Sequence, residues 1–414
     1  MTEDKIKTIK ELCHKKPGYI TAFKEILKIE KGEKEMPDRF GFGVYDIRGM
    51  SVWLLGRLRQ EAILKCTYES NKGKWFRLSD DVKIDALEQA IKEYEAEKEA
   101  ISELAKEVLT GEKKDFLDWV ETTPEDIKEF EEILLKNDAL DHFYPYICPK
   151  LKGMENQRKA VLLALASHWD EAGDRYRITV LMYGEQSSGT GKTPLLRWIK
   201  ELGGGYVGMT ATSRGLTVNL KTGAPGFFAR FHHSVCAVDE IDKLEKDDRD
   251  GILQAAEEGI ISFESAEVKG EYPAEAIILG GANNTSKFTP EQMGRWDFKF
   301  YMEQYSVDEA QDIADFISEQ MGKSKEKETE KLIKFLKWIR SRKAEVSDDV
   351  RKEGAELIKE YIRRSGNTDI RRIQAIWRVA RAWARLNRSE VTGEHVAKTI
   401  VMLEDCNKDN QDVE

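Results

Sequence analysis

Two short stretches of this chain carry residue types that can do phosphate chemistry. In the first, the apolar run Ile178-Thr-Val-Leu-Met-Tyr-Gly184 breaks into Glu185-Gln-Ser-Ser-Gly-Thr-Gly191-Lys192-Thr193 and restarts as Pro194-Leu-Leu-Arg-Trp. An apolar strand that turns through a Gly-rich loop into a helix opening on Gly-Lys-Thr is a phosphate cradle. The N–H groups of Gly189, Thr190 and Gly191 and the positive end of the helix face an anion, Lys192 reaches the outer phosphates, and the Thr193 hydroxyl can ligate Mg²⁺. The pattern G-x-x-x-x-G-K-[ST] is not met in full, because its first Gly falls on Gln186 and Gly184 lies two residues early. Either the loop carries two extra residues or Gln186 stands where a Gly would ease a tight turn. The stretch reads as a nucleoside-triphosphate site; a Gly-rich turn that binds nothing is the competing reading.

The second stretch, Ser234-Val-Cys-Ala-Val-Asp-Glu-Ile-Asp242, reads as a buried strand ending in the acid pair Asp239 and Glu240. Continuous apolar runs mark parallel strands covered on both faces, and carboxylates at the end of one are costly without a task. Asp239 is assigned to the water shell of Mg²⁺ and Glu240 to orienting and polarising the attacking water. The structural alternative makes them capping acids at a strand-to-helix turn. A third apolar run, Ala276-Ile-Ile-Leu-Gly-Gly-Ala282, ends in Asn283 and Asn284. Three strand ends then supply a cradle, an acid pair and an amide along one edge of a parallel sheet with helices on both faces.

In this order, and with the wording between them, these motifs resemble the minichromosome maintenance (MCM) helicases of the AAA+ class. The resemblance rests on Thr212-Ser-Arg-Gly-Leu-Thr217, Val238-Asp-Glu-Ile-Asp-Lys-Leu244, the run from Asp247 to Ser262, Leu279-Gly-Gly-Ala-Asn-Asn284, Gly294-Arg-Trp-Asp-Phe298 and the run from Thr368 to Leu386. Upstream, Pro149 to Leu165 is similar to the start of the family's ATPase core, and the likeness covers about Leu140 to Leu403. It implies ATP as substrate with Mg²⁺, and a homo-hexamer or other ring that unwinds or moves on DNA in replication. The rearranged architecture suggests a mobile element. By residue, the resemblance implies that Lys192 and Thr193 serve phosphate and Mg²⁺, that Asp239 and Glu240 form the second nucleotide motif, and that Asn283 is the first sensor. Arg295 would be an arginine finger reaching a neighbour's site, and Arg371 the second sensor. In the competing readings Arg295 pairs with Asp297, and Arg371 sits on a solvated helix face with Arg372 and Arg378.

One motif departs from the family. The lysine with which the family grips DNA in the ring channel falls on Ser265, and the hairpin from Phe263 to Ala274 carries Glu264, Glu267 and Glu271 against the single Lys269. Acids facing phosphates repel them, so the expectation is that Lys269 takes over the grip. An ATP-switched, DNA-binding initiator or regulator without helicase activity is the alternative function.

The rest of the chain is read from composition and periodicity. A charged fraction of 34% and a net charge of −10 describe a water-facing protein without a uniformly basic coat. No run approaches the roughly 20 apolar residues of a membrane span, and the N-terminus has no signal-peptide pattern, so the expectation is cytoplasmic. Cys13, Cys66, Cys148, Cys236 and Cys406 lie far apart, which gives no metal-ligand spacing and neither the zinc ribbon nor the oligonucleotide-binding domain usual in the family. His232 and His233, adjacent on a strand, are expected to point apart. Residues 1–82 read as a winged-helix-like domain, helices followed by a hairpin around Asn71-Lys72-Gly73. Arg48, Arg57 and Arg59 are placed on its recognition helix, and Lys72, Lys74 and Arg77 on its wing with Trp75 and Phe76, for duplex contact. Residues 83–139 read as a helical spacer, with Pro124–Leu134 packed on the segment before it. Residues 140–322 read as the P-loop core, 323–405 as a helical lid behind a charged link, and 406–414 as a frayed tail.

Overall fold

The computed structural model describes residues 2–16, 18–70, 73–80, 82–110, 115–171, 174–184, 189–208, 213–264 and 269–411. Gln186, Lys72, Ser265 and Glu267 lie outside them. The chain divides into two compact units: residues 1–107 with 220–224 and 264–269, and residues 108–219 with 225–263 and 270–414.

The first unit begins with three helices, α1 (Thr2–Lys15), α2 (Tyr19–Glu30) and α3 (Val52–Gln60), followed by an antiparallel hairpin, β1 (Leu64–Ser70) and β2 (Gly73–Leu78). Ser51 caps α3 through its side chain, which accepts from the Leu54 N–H, the usual way to satisfy a first-turn donor. Arg48 therefore lies before the helix, a correction to its expected place on it. Leu54 and Leu58 on one face of α3 are buried with Phe23, Ile26, Phe42, Phe76 and Leu78. Helix α4 (Ile84–Thr110) is one continuous helix, and its early turns add Leu87, Ala90, Ile91 and Tyr94 to the same core.

The second unit is built on five parallel strands, β3 (Val180–Tyr183), β4 (Gly205–Val207), β5 (Val235–Val238), β8 (Ile277–Ala282) and β9 (Phe298–Tyr301), in the spatial order β9-β3-β8-β5-β4. Between β5 and β8 runs a separate two-stranded hairpin, β6 (Ile260–Glu264) and β7 (Lys269–Pro273). The sheet is buried on both faces, as its uninterrupted apolar strands require. One face packs on α6 (Glu155–Ala166), where Ala160 to Ala166 are all buried, and the other on α8 (Lys246–Glu258). Helix α7 (Lys192–Trp198) follows the Gly-rich loop.

Helix α5 (Pro124–Leu134) starts on a Thr123/Asp126 capping box. It lays Phe130 against Phe143, Phe335 and Trp338. After β9 come α9 (Val307–Gln320), α10 (Glu326–Arg340), α11 (Asp348–Ser365), α12 (Ile370–Leu386) and α13 (Gly393–Gln411). The expected charged link is shorter than its charge run, because Glu326 and Glu328 already lie in the first turn of α10, where acids favour the helix N-terminus. The expected frayed tail is helical to Gln411, with Cys406 buried.

Candidate nucleotide site

Three parallel strands end side by side, and each delivers one part of a phosphate site. After β3 the loop residues Gly189 and Gly191 adopt φ +89°, a region that favours glycine. A Cβ on Gly191 would also stand 2.8 Å from Met154 Sδ and 2.9 Å from Leu151 Cδ1 and push both side-chain ends aside. Tyr305 Oη donates to the Thr190 carbonyl at 3.0 Å and ties the loop to the segment after β9.

Lys192 is buried at the start of α7, and its Nζ donates to Asn283 Oδ1 at 3.3 Å. Burial brings its pKa down to about 8, against the opposing pull of Asp239 and Asp242. A buried ammonium with so little compensation fits a site that takes an anion. Thr193 Oγ1 donates to Asp239 Oδ2 at 2.7 Å, so hydroxyl and carboxylate converge as two oxygen donors suited to a hard divalent cation. The backbone N–H of Asn283 donates to Asp242 Oδ1 at 2.9 Å. Asn284 instead turns its Oδ1 back to the Ser286 N–H at 2.6 Å, which leaves Asn283 as the amide beside Lys192.

Glu240 has φ +58°, an uncommon backbone for a non-glycine residue and one that clusters at functional sites. Its Oε1 accepts from Lys243 at 2.6 Å, while its buried Oε2 has no hydrogen-bond partner among the described residues. A carboxylate held by one oxygen with the other unpartnered has the form needed to take a water proton. The residues therefore fit Mg²⁺ and a triphosphate: Lys192 and the loop N–H groups for the phosphates, Thr193 and Asp239 for the cation.

Sequence reading missed two tyrosines here. Tyr206, at the middle of β4, donates from Oη to Asp239 Oδ2 at 3.3 Å, and Arg197 stands over its ring. Tyr305 is the other. Neither lies in a motif; only the adjacency of β4 and β5 brings Tyr206 to the acid.

Arg295 and Arg371 are brought together elsewhere. Their Nε atoms stand 3.1 and 3.0 Å from the two carboxylate oxygens of Glu257, and Arg295 also pairs with Glu291 at 2.9 Å. They line a cavity of about 650 Å³ with Arg351, Arg381, Tyr176 and Trp377. None of their ion pairs or hydrogen bonds reaches Lys192, Thr193, Asp239, Glu240 or Asn283 among the described residues. Glu257 was not foreseen, since a single glutamate in a helix signals nothing.

The competing pairings fail. Asp297 does not pair with Arg295: its Oδ2 accepts from Arg175 Nη2 and the Thr179 N–H, both at 2.9 Å, and its Oδ1 from Arg378 Nη2 at 2.5 Å. Arg372 and Arg378 are buried rather than solvated, and Arg372 Nη1 donates to the Asp297 carbonyl at 2.9 Å. Burial works to raise the Asp297 pKa, but Arg175 and Arg378 outweigh it and hold the carboxyl below its ordinary value. His232 and His233 do not point apart on a strand. They lie in the turn before β5, His233 with φ +57°, and their rings stack at 4.1 Å.

The DNA-contact candidates are mostly neutralised within their own surroundings. Lys269 pairs with Glu264 at 3.0 Å, Arg57 with Glu61 at 2.7 Å and Lys74 with Glu69 at 2.5 Å. Arg59 lies over the Phe76 ring, and Arg77 Nη2 reaches the Arg39 carbonyl at 3.4 Å. No helix among the described residues is long and apolar enough to cross a membrane.

Residues 126–305 match the family profile of the MCM P-loop domain. An uncharacterized MCM-type protein of Methanocaldococcus jannaschii is 27% identical over 352 residues, 73% of this chain and 50% of that one. The DNA replication licensing factor mcm-6 of Caenorhabditis briggsae is 24% identical over 347 residues, 70% of this chain and 42% of that one. The minichromosome maintenance protein MCM of Saccharolobus solfataricus is 22% identical over 327 residues, 69% of this chain and 47% of that one. The chain thus spans half or less of the length of these relatives.

Proposed function

We propose that this chain, an MCM-like protein built on an α/β P-loop core, hydrolyses ATP and, as a homo-hexamer or other ring, uses the turnover to open or move along DNA in replication. The observation that carries the reading is the convergence of Lys192, Thr193, Asp239, Asn283 and the unpartnered Glu240 oxygen at one sheet edge. The loop N–H groups and Lys192 bind and orient the triphosphate. Thr193 and Asp239 would hold Mg²⁺, which would supply charge neutralisation on the phosphates. Glu240 Oε2 accepts the proton of the attacking water, and the Asn283 amide fixes Lys192 against the outer phosphate. Arg295 and Arg371, gathered away from this edge, suit a neighbouring protomer's triphosphate, where a guanidinium stabilises developing charge.

Lys192→Ala should weaken nucleotide binding, whereas Glu240→Gln should bind nucleotide and fail to turn it over. Equal loss of binding in both variants, measured with a fluorescent ATP analogue, refutes the assignment. One observation favours the ATP-switched initiator: the only described lysine on the β6–β7 tip is already paired with Glu264. DNA-bound rings with ATP turnover and no strand displacement would decide for that second reading.

A further inference from the structure

The outward face of the hairpin in the first unit carries three aromatic rings that the unit's core does not use. In the β1–β2 register Tyr68 stands opposite Trp75 and Cys66 opposite Phe76, with Thr67 as the extra residue at the irregularity. Strand alternation turns Phe76 and Leu78 into the core and puts Tyr68, Trp75 and Arg77 on the other face. Phe40 joins them from the preceding loop: its ring stacks on Tyr68 at 4.1 Å and 11°, and Trp75 closes the group at 5.5 Å from Tyr68. None of the three rings belongs to the core cluster or packs against it, and Tyr68 is 41% exposed. Water-facing stacked rings lose apolar burial without a structural return, which marks a contact surface.

The group is built rather than incidental. Phe42 exchanges two backbone hydrogen bonds with Phe76, at 3.0 and 2.9 Å. Gly41, with φ +133°, lets the loop lie this close, since a Cβ there would stand 2.2 Å from the Phe76 carbonyl oxygen. The Thr67 hydroxyl lies within hydrogen-bond reach of the carbonyls of both Phe40 and Trp75, which ties both ring-bearing residues to the bulge. Asp38 turns its carboxylate to the Phe40 N–H at 3.0 Å.

Charge then selects the occupant. On this face Lys65 is neutralised by Asp80, and on the other face of the same hairpin Lys74 pairs with Glu69. Arg39, which lies over the Phe40 ring at 4.6 Å, and Arg77 have no carboxylate partner among the described residues. Partly exposed rings flanked by guanidiniums that have no carboxylate partner among the described residues suit unpaired bases on a phosphate backbone. A duplex keeps its base faces stacked internally and offers them nothing.

The geometry points to a single-stranded DNA site on the Phe40, Tyr68 and Trp75 face, with Arg39 and Arg77 on the phosphates, and this rests on the DNA-directed part of the proposed function, not on ATP turnover. It differs from major-groove docking by α3, which would favour duplex. The test uses the full chain without nucleotide and measures anisotropy of a labelled oligo-dT strand and of a hairpin duplex, over a salt series. Tyr68→Ala should weaken oligo-dT binding roughly tenfold with an unchanged salt slope, while Tyr68→Phe keeps it. The Arg39→Ala, Arg77→Ala pair should instead lower the slope by about 0.7 per lost contact. A 5-bromodeoxyuridine oligonucleotide should cross-link to Tyr68 or Trp75 on irradiation, located by mass spectrometry.

DNA bound with adducts only elsewhere, or Tyr68→Ala binding oligo-dT like the wild type, overturns the site and leaves the wider reading standing. No binding of either DNA form by the wild type removes both. If Tyr68→Ala weakens self-association instead of oligo-dT binding, the face is a protein contact and the inference fails. Should Tyr68→Ala not fold, Tyr68→Leu keeps apolar area without a stacking plane and must show the same loss.

Discussion

The P-loop core holds two groups of residues suited to ATP hydrolysis, and the fold treats them differently. At the sheet edge, Lys192 is hydrogen-bonded to Asn283, and its neighbour Thr193 to Asp239. In the 650 Å³ cavity, Arg295 and Arg371 share Glu257 and touch none of that set. The first group is set by strand ends held in register, so it forms within one protomer. The second is a pair of cations resting on a carboxylate, an arrangement that a more highly charged anion can displace. Under the proposed function the first group serves the chain's own triphosphate and the second a neighbour's.

The sharpest way to break this comparison is through Arg295. Arg295→Ala should cost about 10³-fold or more in ATP turnover, as loss of an arginine finger does. Mixing Arg295→Ala with Lys192→Ala protein should restore part of the activity, because mixed rings contain interfaces with both halves intact. No recovery at any ratio, with mixed assemblies shown by native mass spectrometry, would make Arg295 a residue of its own protomer.

Asp297 tests the scaffold between the groups. Removing this buried acceptor strands Arg175 and Arg378, so Asp297→Ala should lose about 3–5 kcal/mol of stability, read by urea denaturation. Its pKa is depressed in the folded chain. The stability it contributes is thus present above the unfolded carboxyl value near 3.9 and is lost as pH falls through the lower folded value. The acid limb of a stability profile should flatten in Asp297→Asn.

A smaller effect concerns Lys192. With its pKa near 8 in the nucleotide-free chain, it loses its proton as pH rises through that value, and the neutral amine attracts phosphate less. Nucleotide affinity should fall several-fold between pH 7 and 9, and Lys192→Arg should remove that limb. Flat affinity in the wild type would mean that the lysine stays charged.

The smallest change is expected from Lys269→Ala. Its pair with Glu264 is fully solvated, and such pairs contribute about 0–1 kcal/mol, so the melting temperature should hardly move. Strand separation per ATP hydrolysed should drop if Lys269 grips DNA, and an unchanged ratio dismisses that role.

Much of this was legible in the chain itself. Local patterns named the three core strands, the loop that opens α7, the acids at the end of β5 and the amide after β8, because each depends on residues adjacent in sequence. The helices of the first unit and the hairpin were also readable, from periodicity and from the turn signal at Asn71-Lys72-Gly73. Contacts between distant segments were not. Asp297 sits beside Arg295 in sequence, yet strand alternation at the start of β9 sends it to Arg175 and Arg378. Likewise, α5 packs on Phe143 and Phe335, which lie near it only after the chain folds back.

The sequence by itself determined which chemistry is available: a lysine and a threonine at a helix start, acids at a strand end, an amide beyond another. Those are consequences of local backbone geometry and of the need to bury apolar strands. Only the tertiary structure decided the partnerships: Asn283 over Asn284 at Lys192, Tyr206 on Asp239, Glu257 between two arginines, and Phe40 on Tyr68. Each of these joins residues brought together by parallel strand order, helix packing or a loop crossing a hairpin. A one-dimensional pattern carries no signal for them, because the energy that selects them arises from side chains that meet only in the packed chain.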